Sequence, residues 1–243
     1  MKNTSFLSIA DAAAFVGVST QTLRRWDKSG VLKPDFLSPG GHRKYRQHML
    51  ETFSANARGI ADQWVSSREP MPLEAKYHCE NSGVFQVCLH RFEQELVEEL
   101  KDENKAALIV AVAGEIGNNA FDHNFGNWPD VSGVFFAYDL KKCQVIIAER
   151  GQGILTTLKR VRPQLQTNEQ ALRTAFTEIV TGRAPEPRGN GLKFVRDVVT
   201  HNPLCLFFQS GDVQVEISPE KKDLLIIPAE KDIRGTHVVL EYK

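Results

Sequence analysis

Glu115-Ile-Gly-Asn-Asn-Ala-Phe-Asp-His123 is the stretch whose reading decides the fold. It closes a run of good helix formers, Lys105, Ala106, Ala107, Leu108, Val110, Ala111 and Val112, with apolar positions three and four apart. Such a run predicts a helix. On that helix Glu115, Asn119 and Asp122 share one face, because side chains four and seven residues apart stack along it. The face offers a carboxylate, an amide oxygen and a second carboxylate on a helix otherwise apolar enough to be buried. A buried acid must be paired or used. Taken alone, the stretch reads equally well as a capped helix end with a polar tip.

Two later stretches bear on that choice. Gln144-Val-Ile-Ile-Ala-Glu149 reads as a buried strand that runs straight into Arg150-Gly-Gln-Gly-Ile154. Arg188-Gly-Asn-Gly-Leu192 opens a helix that continues to Val199. Glycines let backbone amides approach a phosphate with no Cβ in the way. A helix N-terminus adds orphan N–H donors and the positive end of a dipole.

In this order the three stretches resemble the asparagine box and the two glycine boxes of the GHKL ATPase superfamily. Its members include gyrase-type topoisomerases, sensor histidine kinases, MutL repair proteins and anti-sigma-factor kinases. Arg234-Gly-Thr-His-Val-Val-Leu-Glu241 is similar to the family's closing strand with its Gly-Thr pair, and the resemblance covers about residues 80–243. It implies ATP and Mg²⁺ as cofactors. By the resemblance, Asn119 offers its side-chain oxygen to Mg²⁺ and Glu115 acts as general base on a water or a protein hydroxyl. Gly151 and Gly153 let the chain pass close to adenine and ribose. Gly189 and Gly191 present amides to the phosphates, Arg188 reaches the γ-phosphate, and Thr236 lies under the adenine.

The chain departs from the family's pattern at Glu149, where the family carries Asp. That Asp accepts from the adenine amino group. The extra methylene of Glu149 is expected to be absorbed by a shifted backbone. The transducer domain that supplies a catalytic Lys in gyrase-type relatives has no counterpart after the last strand, so vigorous hydrolysis is not expected. The compact form looks most like the anti-sigma-factor kinases, which phosphorylate a serine on a small partner protein.

Charge is distributed unevenly along the chain. The formal net charge is zero, yet residues 1–50 carry eight basic and three acidic side chains, a net of +5. A basic head on an acidic body suggests that only the head meets nucleic acid. Cys79, Cys88, Cys143 and Cys205 are scattered with no Cys-x-x-Cys pair, which argues against a disulfide framework and a zinc site. No apolar run reaches the ~18 residues that a membrane span needs, and no signal sequence is apparent. A cytoplasmic protein without a membrane partner is the expectation.

The basic head has its own logic. Ser8-Ile-Ala-Asp11 is a capping-box variant that starts a short helix, and Gly17-Val18 ends it. Ser19 is a good N-cap for a second helix, Thr20 to Lys28. Helix, short turn, helix is the helix-turn-helix layout, in which early residues of the second helix meet DNA bases. Thr20, Gln21, Thr22, Arg24 and Arg25 are therefore the candidate contacts, while Leu23 and Trp26 face the small core. Ser38-Pro-Gly-Gly-His-Arg-Lys-Tyr-Arg46 follows as a turn-rich hairpin tipped with cations. Ser19, Thr22–Trp26, Gly30, Pro34 and Gly40–Arg43 with Tyr45 closely resemble the winged helix-turn-helix of the MerR regulator family. The resemblance implies double-stranded DNA as partner, with His42, Arg43, Tyr45 and Arg46 of the wing at phosphates or the minor groove.

Residues 47–69 read as a connecting helix with a seam of Leu50, Phe53, Ala57, Ile60 and Trp64. The seam either pairs with its twin in a homodimer through residues 50–64 or packs on its own C-terminal domain. Glu69-Pro-Met-Pro72 stops that helix. Gly83–Cys88 reads as a short strand, Leu89–Lys101 as an amphipathic helix, and His90 as a surface histidine. Residues 154–188 read as a lid of helices and a loose loop. The expected fold is α+β. A small all-α winged helix-turn-helix domain (1–48) and a connecting helix and linker (49–72) precede a two-layer α/β sandwich of Bergerat type (73–243), its helices on one face of a mixed sheet. Three functions remain open: a DNA-binding regulator tuned by ATP, a protein-serine kinase with weak ATPase activity, and a nucleotide fold used as a scaffold.

Overall fold

The computed structural model describes residues 6–16, 20–29, 32–47, 49–50, 57–178 and 191–243. The chain forms two compact units, residues 1–63 and 64–243.

In the first unit, strand β1 (Phe6–Ser8) leads into α1 (Ile9–Val16), followed by α2 (Thr20–Ser29), β2 (Phe36–Leu37) and β3 (Arg43–Arg46). The Ser8 capping box is reciprocal: Asp11 N–H donates to Ser8 Oγ at 3.2 Å, and Ser8 Oγ and N–H both donate to Asp11 Oδ2. The expectation of an all-α domain is corrected here. The wing residues pair as an antiparallel three-stranded sheet in the order β1-β3-β2, with Leu7 opposite Tyr45 and Phe36 opposite Lys44. The cations of the hairpin masked the alternation, for only Tyr45 of β3 points fully inward. Ala12, Ala13, Leu23, Trp26, Leu32 and Tyr45 are buried.

The division between the units falls within α3 (Ala57–Ser66). Of the predicted seam, Leu50 and Trp64 are buried, and Phe53 lies outside the described residues.

The second unit begins β4 (His78–Cys79), α4 (Ser82–Leu100), α5 (Glu103–Asn124), β5 (Val134–Asp139) and β6 (Gln144–Glu149). It continues with α6 (Gly153–Lys159), α7 (Asn168–Thr177), α8 (Gly191–His201), β7 (Leu204–Ser210), β8 (Val213–Ile217), β9 (Ile226–Pro228) and β10 (Thr236–Tyr242). The sheet has seven strands in the order β4-β5-β6-β10-β7-β8-β9. Each of these pairings is antiparallel, so the expected mixed sheet is corrected. Helical segments separate β4 from β5 and β6 from β7 in sequence, which suggests parallel crossovers. Here they return the chain beside strands of opposite direction.

The segment Gly83–Cys88 is helical, not a strand. Asn81 caps α4, its side chain accepting from Val84 N–H at 3.0 Å, and the helix then runs unbroken through the β-branched residues. Lys101 takes a left-handed conformation and Asp102 caps α5, so α4 and α5 form a tight antiparallel hairpin. Gly117 lets them approach, for a Cβ there would sink into the Phe85 ring. That ring in turn meets Phe136 of the sheet edge-on, with centroids 5.4 Å apart. Packing thereby fixes which face of α5 turns toward α8 and β6. One side of the sheet, including Phe136, Val145, Ile147, Phe208, Val238 and Leu240, joins the helices in a single apolar core. On the other side Tyr77 stacks on Phe135 at 4.9 Å, and Trp64 lies 6.4 Å from the same ring.

Candidate functional site

A cavity of about 550 Å³ opens in the second unit among α5, α6, α8 and the ends of β6, β7 and β10. That lies within the usual range of small-molecule sites, roughly 300–1,000 Å³. Glu115, Asn119, Glu149, Gly153, Gly191 and Thr236 all line it. The sequence placed these six in four separate stretches, and the fold brings them around one cavity.

At one end Asn119 Nδ2 donates to Glu115 Oε1 at 3.2 Å, one helical turn away. The amide's acceptor, Oδ1, takes no part in that bond. Both side chains are half-buried, whereas Asp122 on the same helix face is exposed. Gly191 opens α8 directly against this pair. A Cβ at Gly191 would overlap Glu115 Oε1 and lie 2.6 Å from Asn119 Nδ2. Without a Cβ, the backbone at Gly191 comes up against carboxylate and amide with both side chains in place. Arg188 and Gly189, the other candidates of that stretch, lie outside the described residues.

At the other end β6 pairs with β10 in regular register as far as Glu149 opposite Thr236. The strand pairing thus stays regular up to the acid itself. Its side chain turns onto its own loop. Glu149 Oε2 accepts from Gly151 N–H and from Asn124 Nδ2, the latter at 3.1 Å. Thr236 adds its hydroxyl and its N–H. Burial drives the Glu149 carboxyl up to about 7, although the hydrogen bonds from Gly151, Thr236 and Asn124 pull the other way. Gly151 is needed for this closure, since a Cβ there would collide with both the Asn124 amide and Glu149 Oε2. Gly153 takes φ 75 at the start of α6. The rest of the lining mixes the apolar Ile116, Ile154, Leu158, Leu192 and Phe208 with the polar Asn118, Asp122, His123, Thr157 and Glu178.

Sequence reasoning passed over two contributors. Asn124, the last residue of α5, is buried and fully engaged: Nδ2 donates to Ala120 O and Glu149 Oε2, and Oδ1 accepts from Gln152 N–H at 2.8 Å. No periodicity marks such a residue. Arg150, next to Glu149, has 0% exposure. Its Nη2 lies 2.6 Å from Asp130 Oδ2, and Nη1 donates to the carbonyls of Trp64 and Ser67. Arg234 Nη1 reaches the same Asp130 oxygen at 2.8 Å, and its N–H donates to Val65 O at 3.0 Å. Burial pushes the Asp130 carboxyl up, but hydrogen bonds from Arg150 and Val131, with the charges of Arg150 and Arg234, hold it below its usual range. The result is a clamp that satisfies the orphan carbonyls at the end of α3.

In the first unit Gln21 and Arg24 are exposed along α2 and Thr20 is half-buried, while Leu23 and Trp26 are buried as expected. The side chains of Thr22 and Arg25 lie outside the described residues. His42 is exposed at the wing tip, where Gly41 has φ 75. Arg43 Nε pairs with Asp27 Oδ2 of α2 at 2.7 Å, which pins wing to helix. Arg46 Nε pairs with Asp35 Oδ1 at 2.5 Å. Tyr45 is only 1% exposed and belongs to the core beneath the wing rather than to its surface.

Residues 8–45 match the model of the MerR family regulatory proteins. This region is a MerR-type helix-turn-helix. Such a region implies a DNA-binding transcriptional regulator. The remainder of the chain has no family assignment. No curated protein matches the chain. Among the described residues no helix is long and apolar enough to cross a membrane.

Proposed function

We propose that the protein is a transcriptional regulator of the MerR kind whose second unit is a Bergerat-type GHKL domain, binding ATP with Mg²⁺ to tune its hold on DNA. The observation that carries this reading is the meeting of Glu115, Asn119 and Gly191 at one end of a cavity whose other end is Glu149 and Thr236. The residues fit the triphosphate end: an amide oxygen beside a carboxylate, at a helix start where a glycine leaves room for both. Asn119 Oδ1 would hold the metal, which favours oxygen ligands and needs few from the protein when phosphates and waters complete its shell. Mg²⁺ when bound supplies charge neutralisation at the phosphates. Gly191 and the first amides of α8 would receive a phosphate oxygen. Glu115, half-buried next to Asn119, would orient a water or hydroxyl there. On the first unit, Gln21 and Arg24 would read base edges while His42, Arg43 and Arg46 hold phosphates.

A ligand shifts DNA binding only through different affinities for two states. The decisive measurement is therefore paired. Saturating ATP–Mg²⁺ is expected to raise the melting temperature, and to change affinity for a duplex selected from a random-sequence pool by at least severalfold, ~1 kcal/mol or more. Melting unchanged by ATP, ADP or Mg²⁺ would sink the nucleotide reading. Raised melting with unaltered DNA affinity would sink the coupling alone.

A further inference from the structure

Two short segments bring Glu149 and Thr236 to the cavity, and both also grip the end of α3. We infer that the clamp of Arg150, Asp130 and Arg234 transmits occupancy of the cavity to the helix that enters the first unit, an inference that rests on the nucleotide reading of the cavity. Arg150 acts in it as a positioning residue, working through residues 64–67.

Arg150 lies in sequence between Glu149, which lines the cavity, and Gly151, whose N–H closes onto that carboxylate. Its guanidinium is spent on Asp130 and on the end of α3. Nε meets the two Asp130 oxygens at 3.1 and 3.2 Å, Nη2 meets one of them at 2.6 Å, and Nη1 donates to the carbonyls of Trp64 and Ser67. The second segment repeats the arrangement. Arg234 precedes Gly235 and the cavity residue Thr236. Its N–H donates to Val65 O at 3.0 Å, and its Nη1 donates to Asp130 Oδ2 at 2.8 Å. The two segments also touch, for a Cβ on Gly235 would collide with Glu149 O. The carbonyls of residues 64, 65 and 67 are thus held from both.

The anchorage has little slack. Trp64, Val65 and Arg150 are all fully buried. Trp64 Nε1 donates to Met71 O at 3.0 Å, and its ring lies 6.4 Å from Phe135, whose strand partner Ala148 adjoins Glu149. A guanidinium is a rigid planar fork. Buried, it cannot exchange a lost partner for water, so a shift of the β6 end either breaks its bonds to the carbonyls or carries the end of α3 along. Packed elements answer such shifts by moving between discrete arrangements rather than by deforming smoothly. Trp64 is the first residue of the second unit, and α3 begins at Ala57 in the first. A ligand that favours one placement of Glu149 and Thr236 therefore favours one anchorage of α3, and DNA, by reciprocity, acts back on the ligand.

The test is hydrogen exchange on the full chain, with and without ATP–Mg²⁺ at about a hundred times its dissociation constant, read at residues 64–66. Exchange that requires clamp and pocket to open together is slowed by up to about a hundredfold under those conditions, and a slowing of at least about tenfold is expected. Unchanged exchange at 64–66, with slowed exchange at Gly151 and Thr236, overturns the inference and leaves the nucleotide reading standing. Arg150→Lys supplies the second arm, since it keeps a charge for Asp130 but loses the fork. ATP and the selected duplex should each still bind, while the severalfold effect of ATP on DNA affinity disappears, a loss that a merely structural residue would not produce at constant ATP affinity. Retention of that effect in the variant overturns the inference, as does a wild type whose DNA affinity ATP leaves unaltered. Should the variant not fold, the wild-type exchange decides alone. Unchanged exchange throughout, with an unmoved melting temperature, overturns the nucleotide reading itself and the inference with it.

Discussion

Two arginine–aspartate pairs sit in the two units and behave as opposites. In the N-terminal unit Arg43 meets Asp27 at 2.7 Å, and the two side chains keep 26% and 23% of their exposure. In the C-terminal unit Arg150 meets Asp130 at 2.6 Å, with 0% and 9%. The charges and distances are nearly equal, and the solvent is not. Water screens the first pair and can replace either partner, so it is worth about 0–1 kcal/mol. The second pair has lost its water. Its net contribution against an apolar alternative is small, but stripping away one partner strands the other charge, at about 3–5 kcal/mol. One pair is adjustable and suits a surface that must trade its carboxylate for a phosphate. The other is architecture, set behind the strand that carries Glu149.

Arg150→Met gives the largest expected effect. It leaves Asp130 facing only Arg234, and the carbonyls of Trp64 and Ser67 without the donor that holds them. The cost should be about 3–5 kcal/mol of unfolding free energy, read by chemical denaturation of the full chain through its C-terminal transition. A loss under about 1 kcal/mol would mean the pair is no more buried in effect than the one on the wing, and the contrast would collapse.

Next in size comes the pH dependence set by Glu149. Its carboxyl is raised by burial to about 7 in the fold. A raised acid binds its proton more tightly folded than unfolded. The associated stability is complete below the unfolded value, and is lost as pH rises through the folded one. Between about pH 4.5 and 7 the wild type should therefore lose roughly 3 kcal/mol that Glu149→Gln does not lose, at about 1.4 kcal/mol per pH unit. Asp130, held low, runs the other way and loses its contribution only in stronger acid. Parallel stability curves for wild type and Glu149→Gln across that range would show that water reaches the corner.

The same contrast explains what could be read in advance. Glu115 and Asn119 were legible because helical spacing alone puts them side by side, and Gly191 because a glycine opening a helix has few other uses. The sequence also reveals β6 and β10, since short β-branched runs, Val145–Ile147 and Val238–Val239, lie next to a glycine turn at Gly151 or Gly235. It does not show that the sheet is antiparallel throughout. Strand direction depends on where each connection returns, and helices between strands are compatible with either. Gly83–Cys88 misled because Val84, Phe85 and Val87 favour strands locally, while the Asn81 cap and packing against α5 decide for helix. The turn of Glu149 onto Gly151 and Asn124 was invisible for a different reason. It joins a helix end to a strand end, 25 residues apart, through hydrogen bonds that leave no pattern in composition.

The smallest stability effect belongs to the wing, and there it separates cleanly from function. Arg43→Met breaks a solvent-screened pair and should change unfolding free energy by less than about 1 kcal/mol. Its effect on DNA should be larger and of a distinct kind. A cation that trades Asp27 for a phosphate adds affinity without regard to sequence, through release of condensed counterions. The variant should bind every duplex in a panel more weakly by a similar factor. Its plot of log affinity against log salt should be shallower by about 0.9, the slope for one phosphate contact. An affinity loss confined to one sequence would instead make Arg43 a reader of bases, and an unchanged slope would remove the wing from the interface. Measured beside Arg150→Met, the variant sets an arginine whose loss is felt by the partner against one whose loss is felt by the fold.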